Sequence, residues 1–144
     1  MSAYPDYYFI QSAVIPYRKR NGKFEILTIT SRRSRRWIVP KGVVEPGFSA
    51  ADSAAKEAWE EAGVIGTVHP KALGKYTYLK WGGTCTVTVY AMLVVDMLKR
   101  WPEEFRKREW VSVKDAAGRM REDELEAMIN ELPKWLKKVS KNGA

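Results

Sequence analysis

The sequence predicts an α/β fold: one mixed β-sheet between helices, forming an α/β/α sandwich. Three observations carry this. Strand-like segments precede and follow a central helix, a second helical stretch closes the chain, and 144 residues suffice for one domain with a proper core. Hydrophobic residues at 45% and charged residues at 29% give a globular composition. No internal repeat, low-complexity tract or linker is visible, so residues 1–144 read as a single domain.

In chain order, residues 11–17 read as a strand and Asn21-Gly22 as the turn after it. Residues 24–30 alternate and are rich in β-branched side chains, which predicts a second strand. Trp37-Ile38-Val39-Pro40 is a short apolar run before Lys41-Gly42, and Pro46-Gly47 marks a turn inside the connecting loop. Ser49, with Asp52 three residues on, reads as a helix N-cap; the helix runs to about Ala62, and Gly63 stands where a helix ends. Residues 75–80 and 84–95 read as strands joined across Trp81-Gly82-Gly83, and residues 109–113 as a further strand. The tail reads as helix over 122–131 and again over 134–138, interrupted or restarted at Pro133.

Composition narrows the function classes. The longest apolar run, 89–95, is far short of the roughly 18–20 residues that span a bilayer. Residues 1–10 lack the basic start and apolar run of a secretory signal. Cys85 is the only cysteine, which excludes an internal disulfide and a cysteine zinc site. A soluble cytoplasmic protein with no membrane partner is the expectation. The net charge is +8, and between Arg18 and Lys41 nine Lys/Arg residues face one acid, Glu25. Such a field concentrates phosphates, nucleotides or nucleic acid, although the same charge also serves a merely solvated surface.

The helix after Ser49 has two faces. At 100° per residue, Ala51, Ala55, Ala58 and Ala62 form a narrow stripe that lets the helix sit close to a sheet. Glu57, Glu60 and Glu61 fall on the other side at spacings of three and four, where like charges cost about 0.2–0.5 kcal/mol per pair. A solvated acidic face is the plain reading. A hard cation such as Mg²⁺, which takes oxygen ligands and neutralises their repulsion, is the functional one.

The flanking residues decide between them. The segment from Gly42 to Val64 resembles the Nudix box: Gly42, Glu57, Glu60, Glu61, Gly63 and Val64 match with the spacing intact. Phe48 stands where the family has its first Glu, Lys56 where it has Arg, and Ala58 where it has a larger aliphatic residue. Glu45, three residues before Phe48, is the available substitute carboxylate. Beyond the box, the segment from Ser34 to Gly42 and Arg106-Lys107-Arg108-Glu109-Trp110, with residues 87–101 between them, look like the diphosphoinositol polyphosphate phosphohydrolase branch, a likeness covering about residues 12–117. That branch usually has Gly where Lys41 stands, a variation shared with Nudix branches acting on dinucleoside polyphosphates.

The resemblance implies Mg²⁺-dependent hydrolysis, with Mn²⁺ as a substitute metal, of a diphosphate linkage in an anionic phosphorylated small molecule. Dinucleoside polyphosphates and diphosphoinositol polyphosphates are the two types in view. Glu57, Glu60 and Glu61 would hold the metal, with a backbone carbonyl near Gly42. The general base would be Glu61 itself or a carboxylate of the loop before Glu109-Trp110, Glu104 ahead of Glu103. Arg18, Arg20, Arg32, Arg36 and Lys41 are the cations expected to bind substrate phosphates, with Lys80 and Arg106 behind them. His69 reads as a loop residue, and Trp37 and Trp110 as core or cleft wall. Two other readings stay open. One is a non-catalytic module that senses a nucleotide or phosphate, for which Phe48 is the support. The other is a 5′-pyrophosphohydrolase of RNA using the basic segment, ranked last because the segment shows no aromatic-interleaved single-strand pattern.

Overall fold

The computed structural model describes residues 3–141. Its elements in order are a short 3₁₀ turn Asp6–Phe9, strands β1 Ile10–Arg20, β2 Lys23–Thr30, β3 Trp37–Ile38 and β4 Lys41–Val43, helix α1 Ala50–Ala62, strands β5 Val64–Val68, β6 Gly74–Lys80, β7 Gly83–Met97 and β8 Arg108–Ser112, and helices α2 Val113–Arg119 and α3 Asp123–Lys141. All eight strands join one mixed sheet. Its main path runs β3-β2-β1-β7-β5, with β4 on β1, β6 on β7 and β8 on β2. β1 and β7 pair in parallel; the other pairings are antiparallel.

β1 shows why the expected sandwich forms. Residues 11–17 are buried without interruption, as a strand covered on both faces must be. Ala13, Ile15 and Tyr17 point to one side, where Val87, Val89, Leu125, Ile129 and Leu132 complete a core under α2 and α3. Val14 points to the other, joining Leu27, Ile29, Ala54, Ala58, Ala62 and Met92 under α1. No helix among the described residues is long and apolar enough to cross a membrane.

Several elements differ from the sequence expectation, and α2, Val113–Arg119, was not expected at all. β4 was not read as a strand, yet Gln11, Ser12 and Ala13 pair with residues 41–43 and draw them into the sheet. β5 was missed: it follows the helix cap at once, contains Gly66, and pairs with β7 through a register shift between Ile65 and Gly66. β8 ends a residue early because Ser112 caps α2, its hydroxyl accepting the Asp115 N–H at 3.1 Å. α3 passes unbroken through Pro133. A proline inside a helix costs roughly 3 kcal/mol, and burial of Leu125, Ile129 and Leu132 along one face offsets it.

Candidate active site

α1 begins and ends where its sequence dictates. The Ser49 hydroxyl accepts the Asp52 N–H at 3.0 Å, and Gly63 closes the helix in the left-handed conformation at φ 65°. A side chain at Gly63 would also overlap the Trp101 ring. Ala54, Ala58 and Ala62 are the fully buried alanines, while Ala51 and Ala55 are half-buried, so the stripe is rotated by about one residue from expectation. The Ser53 hydroxyl donates to the Val43 carbonyl at 3.2 Å, pinning the helix to β4.

The rotation changes what the glutamates see. Glu57 and Glu61 do not lie opposite the packed face; they flank it and turn toward β4. The Glu57 carboxyl rests against the backbone of Gly42, in space that any Cβ there would fill. Glu61 accepts the Lys41 N–H at 3.2 Å. Burial, with Glu61 and Glu60 nearby, pushes Glu57 up to about 8. Burial pushes Glu61 up to about 7 despite the Arg106 guanidinium 4.0 Å away and the Lys41 hydrogen bond. Glu60 is half-exposed on the same stretch.

One loop, residues 98–107, with the first residue of β8, receives the end of this helix. The Glu60 carbonyl accepts the Glu103 N–H at 3.0 Å. The Glu61 carbonyl accepts the Trp101 indole N–H at 3.1 Å, and the Ala62 carbonyl accepts from Arg108 at 3.1 Å. The Gly63 carbonyl accepts the Leu98 N–H at 2.8 Å. Arg108 stacks on Trp101, 3.8 Å from the ring centroid. Carbonyls that a helix end leaves without partners are thus held by protein rather than water. Buried Arg106 ties the loop inward, donating to Glu103 at 2.7 and 3.0 Å and to the Thr30 carbonyl at 2.9 Å. Sequence reading missed Trp101 and Arg108, and nothing local could reveal them, since their partners lie some 40 residues earlier.

The expected site residues divide accordingly. Glu104 is exposed and bonded to Arg100 at 2.7 and 2.8 Å, whereas Glu103 is the loop carboxylate linked through Arg106 to Glu61. Lys41 joins two regions: its N–H bonds to Glu61, while its ammonium lies 4.1 Å from the Tyr78 ring centroid and lines a cavity of about 100 Å³ with Arg36, Ser31, Tyr76 and Glu122. Burial first, then Lys80, lowers its pKa. Arg32 is exposed, 3.5 Å from Glu103. Arg18 is committed to Glu25 at 2.7 Å and to the Trp110 ring, and Arg20 is exposed at the far end of β1. Lys80 lies over the Trp81 ring. His69 is not a free loop residue, for it shares a 2.7 Å hydrogen bond with the Tyr17 hydroxyl and meets the edge of Trp135.

The departures from the box form a set. Lys56 sits 3.5 Å from Glu45 and 5.2 Å from the Phe48 ring centroid. An ion pair and a cation–π contact thus hold the helix against the preceding loop.

A divalent cation fits the chemistry of the donors. They are all oxygen, two are half-buried and repel each other, and Gly42 leaves a backbone cradle beside them. Among the described residues no three acidic, histidine or cysteine side chains already converge closely enough to hold an ion, so the fit is that of a carboxylate pair with Glu60 beside it.

A family model described as the NUDIX domain matches residues 9–134. The chain is 36% identical over 118 residues to "Nudix hydrolase 18, mitochondrial" of Arabidopsis thaliana, covering 75% of this chain and 66% of that one. It is 33% identical over 115 residues to human "Diphosphoinositol polyphosphate phosphohydrolase 3-alpha", covering 78% and 69%. Across three of the plant relatives the match spans 61–66% of their own length, less than two thirds. Among solved structures, a C. elegans Ap4A hydrolase binary complex superposes with a TM-score of 0.78 at 22% identity, covering 90% of this chain and 98% of that one. The MutT protein of Methanosarcina mazei superposes at 0.67 with 20% identity, covering 89% and 94%.

Proposed function

The chain belongs to the Nudix family, and on that basis we propose that it is a hydrolase of phosphoric anhydrides. The bond cleaved is a diphosphate linkage in a nucleoside-diphosphate-linked or polyphosphorylated substrate. Mg²⁺ is the cofactor, with Mn²⁺ able to replace it. The observation that carries this reading is the Glu57–Glu61 pair, held near neutral pKa against the Lys41–Gly42 backbone. Solvated surface acids have no such burial.

Glu57, Glu60 and Glu61, with the Gly42 carbonyl, are the groups that would hold the metal. When bound, the metal supplies charge neutralisation at phosphate oxygens and a more acidic water. Glu61 accepts the proton of the attacking water, since a carboxyl poised near 7 matches the working pH of a general base. Arg106 keeps Glu61 oriented by bridging it to Glu103. Glu103, rather than the Arg100-bound Glu104, is the loop carboxylate that supports the site. Lys41 and Arg36 grip substrate phosphates on the cavity side.

The test is phosphate release over dinucleoside polyphosphates, diphosphoinositol polyphosphates, ADP-ribose and nucleoside triphosphates, with and without Mg²⁺. Glu61→Gln is expected to lower turnover by about 10²-fold or more. Glu103→Gln should lower it less, and Glu104→Gln should leave it unchanged. No turnover of any substrate by the native protein, or full turnover by Glu61→Gln, would sink the hydrolase reading in favour of a phosphate-sensing module.

A further inference from the structure

The cavity beside Lys41 bears on a choice the family likeness leaves open. It is lined by Ser31, Arg36, Lys41, Tyr76 and Glu122, over an apolar floor that includes Leu125. Arg36 and Lys41 are donors only, and call for acceptors such as phosphate oxygens. Glu122, as a carboxylate, is an acceptor only, and calls for a hydroxyl or amino donor. It stands one residue before α3, its carbonyl taking the Glu126 N–H at 3.0 Å, so the start of the helix fixes where it sits. Its oxygen is 4.0 Å from Arg36, longer than a hydrogen bond, which leaves both groups able to serve a ligand.

We propose that Glu122 is a specificity-determining residue, selecting a substrate whose non-reacting half is a nucleoside over one whose non-reacting half is a fully phosphorylated ring. The proposal rests on the hydrolase reading above. A nucleoside brings hydroxyl and amino donors to Glu122, an apolar face to the floor, and its own phosphates to Lys41 and Arg36. A ring carrying a phosphate on every carbon brings acceptors alone and sets like charge against Glu122. Size agrees with chemistry. The cavity is about 100 Å³, roughly three times the share of one liquid water at about 30 Å³, enough for the hydroxyl-bearing edge of a sugar or the edge of a base. The Tyr76 phenol, kept protonated by burial, adds a neutral donor at the same wall.

The experiment compares kcat and KM for a dinucleoside tetraphosphate and a diphosphoinositol pentakisphosphate, in the native protein, Glu122→Gln and Glu122→Lys. The native protein should prefer the dinucleotide. Glu122→Gln should raise KM for the dinucleotide about ten- to a hundredfold, as loss of a charged hydrogen bond does, while kcat holds. Glu122→Lys should move the kcat/KM ratio toward the inositol substrate. A purely structural role would depress both substrates alike, and an unchanged ratio in either variant overturns the proposal while leaving the hydrolase intact. Calorimetric binding of ADP and inositol hexakisphosphate to the same three proteins separates the two claims. If the native protein turns over nothing in the wider panel above but its binding ratio shifts as stated, the selection stands and the hydrolase reading falls. If the binding ratio does not shift, the selection falls.

Discussion

Burial and neighbouring carboxylates hold Glu57 up to about 8 and Glu61 up to about 7, against 4.5 for an unperturbed carboxyl. Both shifts favour the protonated form in the fold, so the metal-free protein binds more protons folded than unfolded. The stability these two groups contribute is therefore full below about 4.5 and is lost as pH rises through 7 and 8. Melting temperature should fall across that window without metal and recover when millimolar Mg²⁺ is added. A melting curve flat in pH, or one that Mg²⁺ leaves unmoved at pH 8, would remove the cation from this site. The three glutamates were legible as residues because helical spacing alone gathers them. Their environment was not. Ala54, outside the expected stripe, also suits the packed face and lets the helix rotate by one position, and only contact with Gly42 and Lys41 turned Glu57 and Glu61 from a solvated face into a half-buried one.

At the scale of the element, α1 is a helix whose two ends are secured by different means. The start is local, Ser49 to Asp52, and was readable from four residues. The end depends on Trp101, Glu103, Leu98 and Arg108, which the chain reaches only after β5, β6 and β7. No pattern within α1 announces them. Trp101→Phe keeps the ring but removes the bond to the Glu61 carbonyl. It should cost about 0.5–1.5 kcal/mol of stability and lower kcat more than it raises KM, because the bond it removes holds the helix turn that carries Glu61. Equal changes in kcat and KM would mean that the indole serves substrate binding instead. The same locality explains α3: Pro133 predicted a break because the sequence shows the missing N–H and not the core residues packed on either side of it.

For the whole molecule, the mixed sheet with helices on both faces followed from the order of strand and helix signals, whereas β4 and β5 became strands only through partners elsewhere in the chain. The charge of +8 was equally plain, but its use was not. Arg18 is paired with Glu25, and Arg32 lies 3.5 Å from Glu103, so part of the basic segment's charge is neutralised within the fold, and only Arg36 and Lys41 are assigned to substrate phosphates. KM for a polyanionic substrate should therefore rise only mildly between about 50 and 200 mM salt. A fall in RNA affinity of about 10³-fold over that range, typical of six or more phosphate contacts, would instead revive the RNA reading. The parallel pairing of β1 with β7 has a further consequence, and it concerns folding speed. It joins residues from opposite halves of the chain, so a long segment must be closed before that ladder can form, and contacts of this kind slow folding. β4, which brings Gly42, registers on β1, and the loop that holds the end of α1 leaves from the end of β7. The two halves of the site thus meet in the same late event that completes the sheet. A partly folded chain has the glutamates and the cations, but not yet in one place.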